Sequence, residues 1–100
     1  SIFSHHFRKE KDMKAEKMFR KLGYKKYQNK YDKQNAKEWG QPMTIRYKKG
    51  YFEITFDCWD QDVTKTCSLM GREMHSSIDM EELQAINQQV GELSWINDKK

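Results

Sequence analysis

The chain has 100 residues, a length that suits one domain with a single modest core. Only 36% of the residues are hydrophobic and 34% are charged. No apolar run approaches the roughly 20 residues of a membrane helix, and no signal-peptide pattern appears. A cytoplasmic protein with no membrane partner is therefore expected, and two cysteines, Cys58 and Cys67, are too few for a disulfide scaffold.

The net charge of +4 conceals an asymmetry. Residues 1–50 carry 15 basic against 5 acidic side chains, a net +10, and residues 51–100 carry 4 against 10, a net −6. Such a split can mark a face for an anionic partner. The plainer explanation is attraction between the halves, within one chain or between copies.

Residues 1–12 show no sustained period and are expected to be a disordered leader. Met13 stands where a natural start fits, so the leader is expected to be an artificial or upstream extension. Asp12 to Leu22 reads as a helix, with Asp12 as N-cap. Ala15, Met18, Phe19 and Leu22 recur on one face at steps of three and four. Gly23 sits at the C′ position, where a positive φ is needed, and Tyr24 can fold back on the last turn.

Residues 25–41 are expected to be irregular. Tyr24, Tyr27 and Tyr31 have helical spacing, yet Gln28, Asn29, Asn35 and Gly40 argue against a helix, and a short strand at 24–28 is an equal alternative. Pro42 pushes Gln41 toward extended geometry and opens the next strand.

Met43 to Cys58 reads as a β-hairpin. Met43, Ile45 and Tyr47, then Phe52, Ile54 and Phe56, alternate with polar residues, so each strand has one apolar and one polar face. A two-residue loop at Lys49-Gly50 pairs Lys48 with Tyr51, Arg46 with Glu53 and Ile45 with Ile54. A third strand follows at 63–69, with Val63, Cys67 and Leu69 on the core face and Lys65 near the edge. Residues 70–78 read as a linker turning at Gly71. Asp79-Met-Glu-Glu82 forms a capping box, Ile78 can staple to Leu83, and Met80, Leu83, Ile86, Val90 and Leu93 make an apolar stripe. Residues 98–100 are a tail. Both helices and the sheet have one apolar side. The expected fold is therefore α+β, a three-stranded antiparallel meander with an N-terminal and a C-terminal helix on one face, in a single domain over 13–97.

Three segments, Ala15-Glu-Lys-Met-Phe-Arg-Lys-Leu-Gly-Tyr24, Tyr51-Phe-Glu-Ile-Thr-Phe-Asp57 and Ile78-Asp-Met-Glu-Glu-Leu-Gln-Ala-Ile-Asn-Gln-Gln89, with Glu92-Leu-Ser-Trp-Ile96, resemble small uncharacterised prophage-encoded proteins of low-GC Gram-positive bacteria. The resemblance covers the two helices and the central strands, about half the chain. It implies an intracellular, phage-associated setting and brings no catalytic residue or cofactor with it.

Chemistry-bearing residues are sparse. Cys58 and Cys67 point to the expected core face, across from each other, where a thiol ordinarily behaves as a small hydrophobe. His5, His6 and His75 lack metal-ligand spacing. Ser76 and Ser77 beside His75 form no triad, and capping accounts for Glu81 and Glu82. No catalytic role, metal or cofactor is expected. One functional reading is a protein–protein interaction or small assembly module, with an unidentified protein partner or a homo-oligomer, suggested by the charge split and an open sheet edge. The alternative is weak binding of single-stranded nucleic acid through Lys21, Lys25, Lys26, Tyr27, Lys30, Tyr31 and Lys33, extended by Arg46, Lys48 and Tyr51. There lysines would neutralise phosphates and aromatic rings would stack on bases.

Overall fold

A computed structural model describes residues 13–95. The expected leader 1–12, Asp12, Ile96 and the tail lie outside the described residues. The elements run α1 (Ala15–Lys21), β1 (Lys25–Tyr27), α2 (Lys30–Trp39), β2 (Thr44–Lys49), β3 (Phe52–Asp57), β4 (Asp62–Leu69), β5 (Arg72–His75) and α3 (Met80–Glu92). The five strands form one antiparallel meander in sequence order. The fold is thus α+β as expected, with a five-stranded sheet in place of three strands and with a third helix.

β1 falls within the 24–28 stretch for which a short strand was the alternative reading, while α2 and β5 come from stretches expected to be irregular chain and a linker. Residues 25–41 hold β1 and α2. Asn29 caps α2 by accepting from Asp32 N–H while the Asp32 carboxylate accepts from Asn29 N–H, and Gly40 closes it at φ 76°. The expected linker folds back as β5 across a two-residue turn. Both turn residues, Met70 (φ 53°) and Gly71 (φ 76°), adopt the left-handed conformation that a type I′ hairpin requires.

Alternation assigns the faces of the central hairpin. Ile45, Tyr47, Ile54 and Phe56 are buried, while Arg46, Glu53 and Thr55 point to the other face. The register differs from expectation. Lys49 pairs with Phe52, Lys48 with Glu53, Arg46 with Thr55 and Ile45 with Phe56, so the loop is Gly50-Tyr51. Gly50, at φ 60°, occupies the first loop position, where a positive φ is needed; the Lys49-Gly50 loop would have put lysine there. The shift advances each pairing by two residues and so preserves both faces.

α1 and α3 cover the apolar face. Phe19 of α1 is the centre of the core: its ring stacks on Tyr47 at 4.0 Å and meets Tyr24 and Phe56 edge-on at 5.8 and 6.0 Å. Lys14 takes the N-cap position of α1 without a side-chain cap. The Glu92 carboxylate of α3 instead accepts the Ala15 N–H at 2.7 Å. At the other end Tyr24 N–H bonds Phe19 C=O and Gly23 N–H bonds Arg20 C=O, a Schellman motif with Gly23 at φ 98°.

The α3 capping box of Asp79 and Glu82 is formed, but its buried stripe differs from the expected one. Glu82, Ala85, Ile86 and Gln89 face inward, Val90 and Leu93 pack at the margin, and Met80 and Leu83 are exposed, as is Ile78. Two buried tyrosines explain the polar positions. Tyr47 donates its hydroxyl to Gln89 Oε1 at 2.6 Å, and Tyr24 donates to Glu82 Oε2 at 2.7 Å. Polar partners at those helix positions satisfy phenol groups that would otherwise be orphaned in the core.

Candidate functional site

Three chemically distinct regions emerge from this arrangement. The first is a buried charge cluster on the core side. Lys65 lies inside the sheet, not near an edge, directly opposite Ile54. Its ammonium contacts both Glu82 oxygens, at 2.8 and 3.0 Å, and lies 4.9 Å from the Phe52 ring centroid. Burial alone would push the Glu82 carboxyl up; the bonds from Lys65, Tyr24 and the Asp79 N–H outweigh it and hold the carboxyl below the usual carboxylate range. Burial and the same carboxylate push the Tyr24 phenol well up. No buried side-chain nitrogen or oxygen among the described residues lacks a hydrogen-bond partner, and this network ties α3 to the sheet.

The second region is the polar face. Arg46 forks onto Asp32, with Nε–Oδ2 at 2.7 Å and Nη2–Oδ1 at 3.2 Å, and reaches Glu53 at 3.2 Å. Asp32 is almost fully buried, so the fork fastens α2 to the sheet. Tyr27 donates to Glu53 at 3.3 Å. Arg46 and Tyr27, both candidate nucleic-acid contacts in the sequence, are therefore engaged internally. A bond to Asp32 is the main reason the Arg46 guanidinium is held even more firmly charged.

The remaining candidates fall into two groups. Lys25 pairs with Lys48 across β1 and β2, on the same face as Tyr27 and Arg46. Lys30, Lys33 and Tyr31 stand on the exposed side of α2, and Tyr51 is exposed in the hairpin loop. Lys26 lies opposite Tyr47, on the other side of β1, and Lys21 is exposed at the end of α1. A cleft of about 400 Å³ opens beyond the end of β1, between Glu16 of α1, Lys26, Tyr27 and Gln28, and Lys33 of α2. The ten candidates thus do not converge on one groove. The signal missed in the sequence was the Asn29-x-x-Asp32 cap, which announces α2 and brings the carboxylate that claims Arg46.

The third region is the β4–β5 end. All four β5 residues are exposed. Leu69 and Met74, on the core side of the sheet, are left uncovered, and Ile78, Met80 and Leu83 are exposed along the approach to α3 and its first turns. Cys67 sits opposite Phe52 and Met74, so it does not face Cys58, and both are free. Burial, with the nearby Asp57, pushes the Cys58 thiol up and away from the reactive thiolate. Among the described residues no three metal-ligating side chains gather, and no helix is long and apolar enough to cross a membrane; His5 and His6 lie outside the described residues.

Comparison with protein-family models, with curated proteins and with solved structures returns no match to this chain.

Proposed function

We propose that this chain is a non-catalytic association module, acting in a phage-associated, cytoplasmic setting by binding another polypeptide or itself. The observation that carries the reading is the β4–β5 end, where an unpaired strand edge adjoins exposed Leu69, Met74, Ile78 and Leu83. An open edge supplies main-chain hydrogen bonds to an added strand, and flanking apolar side chains supply burial. The buried ion pairs support this reading by their saturation: the charges that could serve acid–base chemistry are committed to holding helices on the sheet. The test is affinity capture with the full chain, run beside Leu83→Glu. The reading expects a partner, or a second copy, retained by the wild type and lost from the variant; retention of nothing by either opposes it.

A second reading, weak binding of single-stranded nucleic acid, is favoured by one observation. Lys25, Lys26, Lys30, Lys33 and Lys48 form no ion pair within the described residues, and Tyr31 and Tyr51 are well exposed near them. Titration with a labelled oligonucleotide at low and high salt tests it. Binding that falls steeply with salt supports phosphate contacts, and no binding at low salt removes the reading.

A further inference from the structure

The two edges of the sheet differ in a way that selects one of them for pairing. β1 has three residues, two of them lysines, so pairing with a second copy of itself would bring like charges together. β5 has four residues, Arg72-Glu73-Met74-His75, with no proline and a tight turn before it.

The hydrogen-bond phase of β5 follows from one bond. Ser76 N–H donates to Lys65 C=O, so the Lys65/Ser76 pair is hydrogen-bonded. Alternation then makes Cys67/Met74 and Leu69/Arg72 the bonded pairs of the ladder. The main-chain N–H and C=O of Glu73 and His75 consequently point away from β4, toward the free edge. Met74 projects to the core side with Cys67, while Glu73 and His75 project to the polar face.

We propose that β5 pairs with β5 of a second copy in antiparallel register Met74 to Met74, joining two five-stranded sheets edge to edge. This rests on the association reading and names its partner. Two-fold pairing that keeps the core sides together can place on the axis only Glu73, Met74 or another single residue. With Glu73 on the axis two carboxylates face each other, and with His75 on the axis two imidazoles do. With Met74 on the axis each Glu73 faces the other copy's His75, and these are the residues whose free main-chain groups then exchange hydrogen bonds. Met74 becomes a non-bonded pair, its Cα atoms about 4.5 Å apart, with its apolar side chains in contact on the core side. Avoidance of opposed carboxylates and the Met74 contact thus favour this register among those the hydrogen-bond phase allows. The contact is small, so the dimer forms reversibly and at high concentration.

Sedimentation of the full chain over a wide concentration range tests this, with Glu73→Lys, His75→Glu and the double exchange beside the wild type. Both sites are exposed, so the variants fold. The wild type is expected to shift toward dimer with concentration, each single variant to lose that shift, and the double exchange, which again sets a carboxylate opposite a hydrogen-bond donor in the same register, to recover it. A wild type that stays monomeric, or single variants that dimerise as the wild type does, overturns the pairing. So does failure of the double exchange to recover. The broader association reading falls separately, only if capture by the immobilised chain also retains nothing.

Discussion

Replacing Lys65 by Met is the sharpest probe of how α3 is held. Methionine keeps an unbranched apolar side chain but removes the ammonium that contacts both Glu82 oxygens at 2.8 and 3.0 Å. The two side chains are only 9% and 5% exposed, so the carboxylate would be left buried without its cation. Breaking a buried pair from one side costs about 3–5 kcal/mol, a large share of the ~5–15 kcal/mol that stabilises a domain.

The pH dependence follows from the direction of the Glu82 shift. Its carboxyl is held below the ordinary value in the folded chain, so the pair's contribution is complete above the unfolded pKa and is lost as pH falls through the folded one. Without Lys65 the buried carboxylate is a liability that protonation removes. The deficit of Lys65→Met is therefore largest at neutral pH and narrows as the carboxyl protonates. Urea denaturation of wild type and variant at neutral and acidic pH measures it. A neutral-pH deficit under about 1 kcal/mol, the scale of a surface pair, or one that does not change with pH, would refute the reasoning.

Other perturbations have equally defined outcomes. Arg46→Ala strips Asp32 of its fork, and the remaining aromatic link between Trp39 and Trp59, 5.6 Å apart, is exposed. Amide exchange is expected to accelerate across residues 30–39 while β3 stays protected; unchanged α2 protection would show that the fork does not dock it. Gly91 lies within α3 with open space where a Cβ would go, so Gly91→Ala should stabilise by about 0.5–1 kcal/mol in thermal melts. Gly23→Ala should destabilise by about 1–2 kcal/mol, because φ there is 98° and the added Cβ would come within 2.9 Å of Lys49 Cδ. A reversal of sign would contradict the helical placement of Gly91 in the first case and the left-handed cap at Gly23 in the second.

The central hairpin was legible because Ile45, Tyr47, Ile54 and Phe56 alternate cleanly with polar residues, and burial follows alternation. Its register was missed by one loop step, since alternation is blind to shifts of two and only the φ of Gly50 decides between them. α2 was missed because the residue it turns inward is Asp32, held by an arginine distant in sequence, so no apolar stripe marks it and only its Asn29-x-x-Asp32 cap does. β5 was illegible for a related reason: all four residues are exposed, and burial has written no pattern into them. The α3 stripe was misread where Glu82 and Gln89 replace apolar residues to receive the Tyr24 and Tyr47 hydroxyls. The lysine-rich stretch was visible in the sequence, but not that its candidates spread over more than one face. That Arg46 and Tyr27 are withdrawn from it depends on tertiary partners that composition does not contain.

The most direct measurement of the account is residue-resolved amide hydrogen exchange on the full chain, in dilute and in concentrated solution. The amides of β2 and β3 should exchange slowly at both concentrations, and those of Glu73 and His75 rapidly when dilute and more slowly when concentrated, with Lys25 to Tyr27 unaffected. Equal exchange at Glu73 and His75 under both conditions, or slowing at β1 in their place, would contradict it.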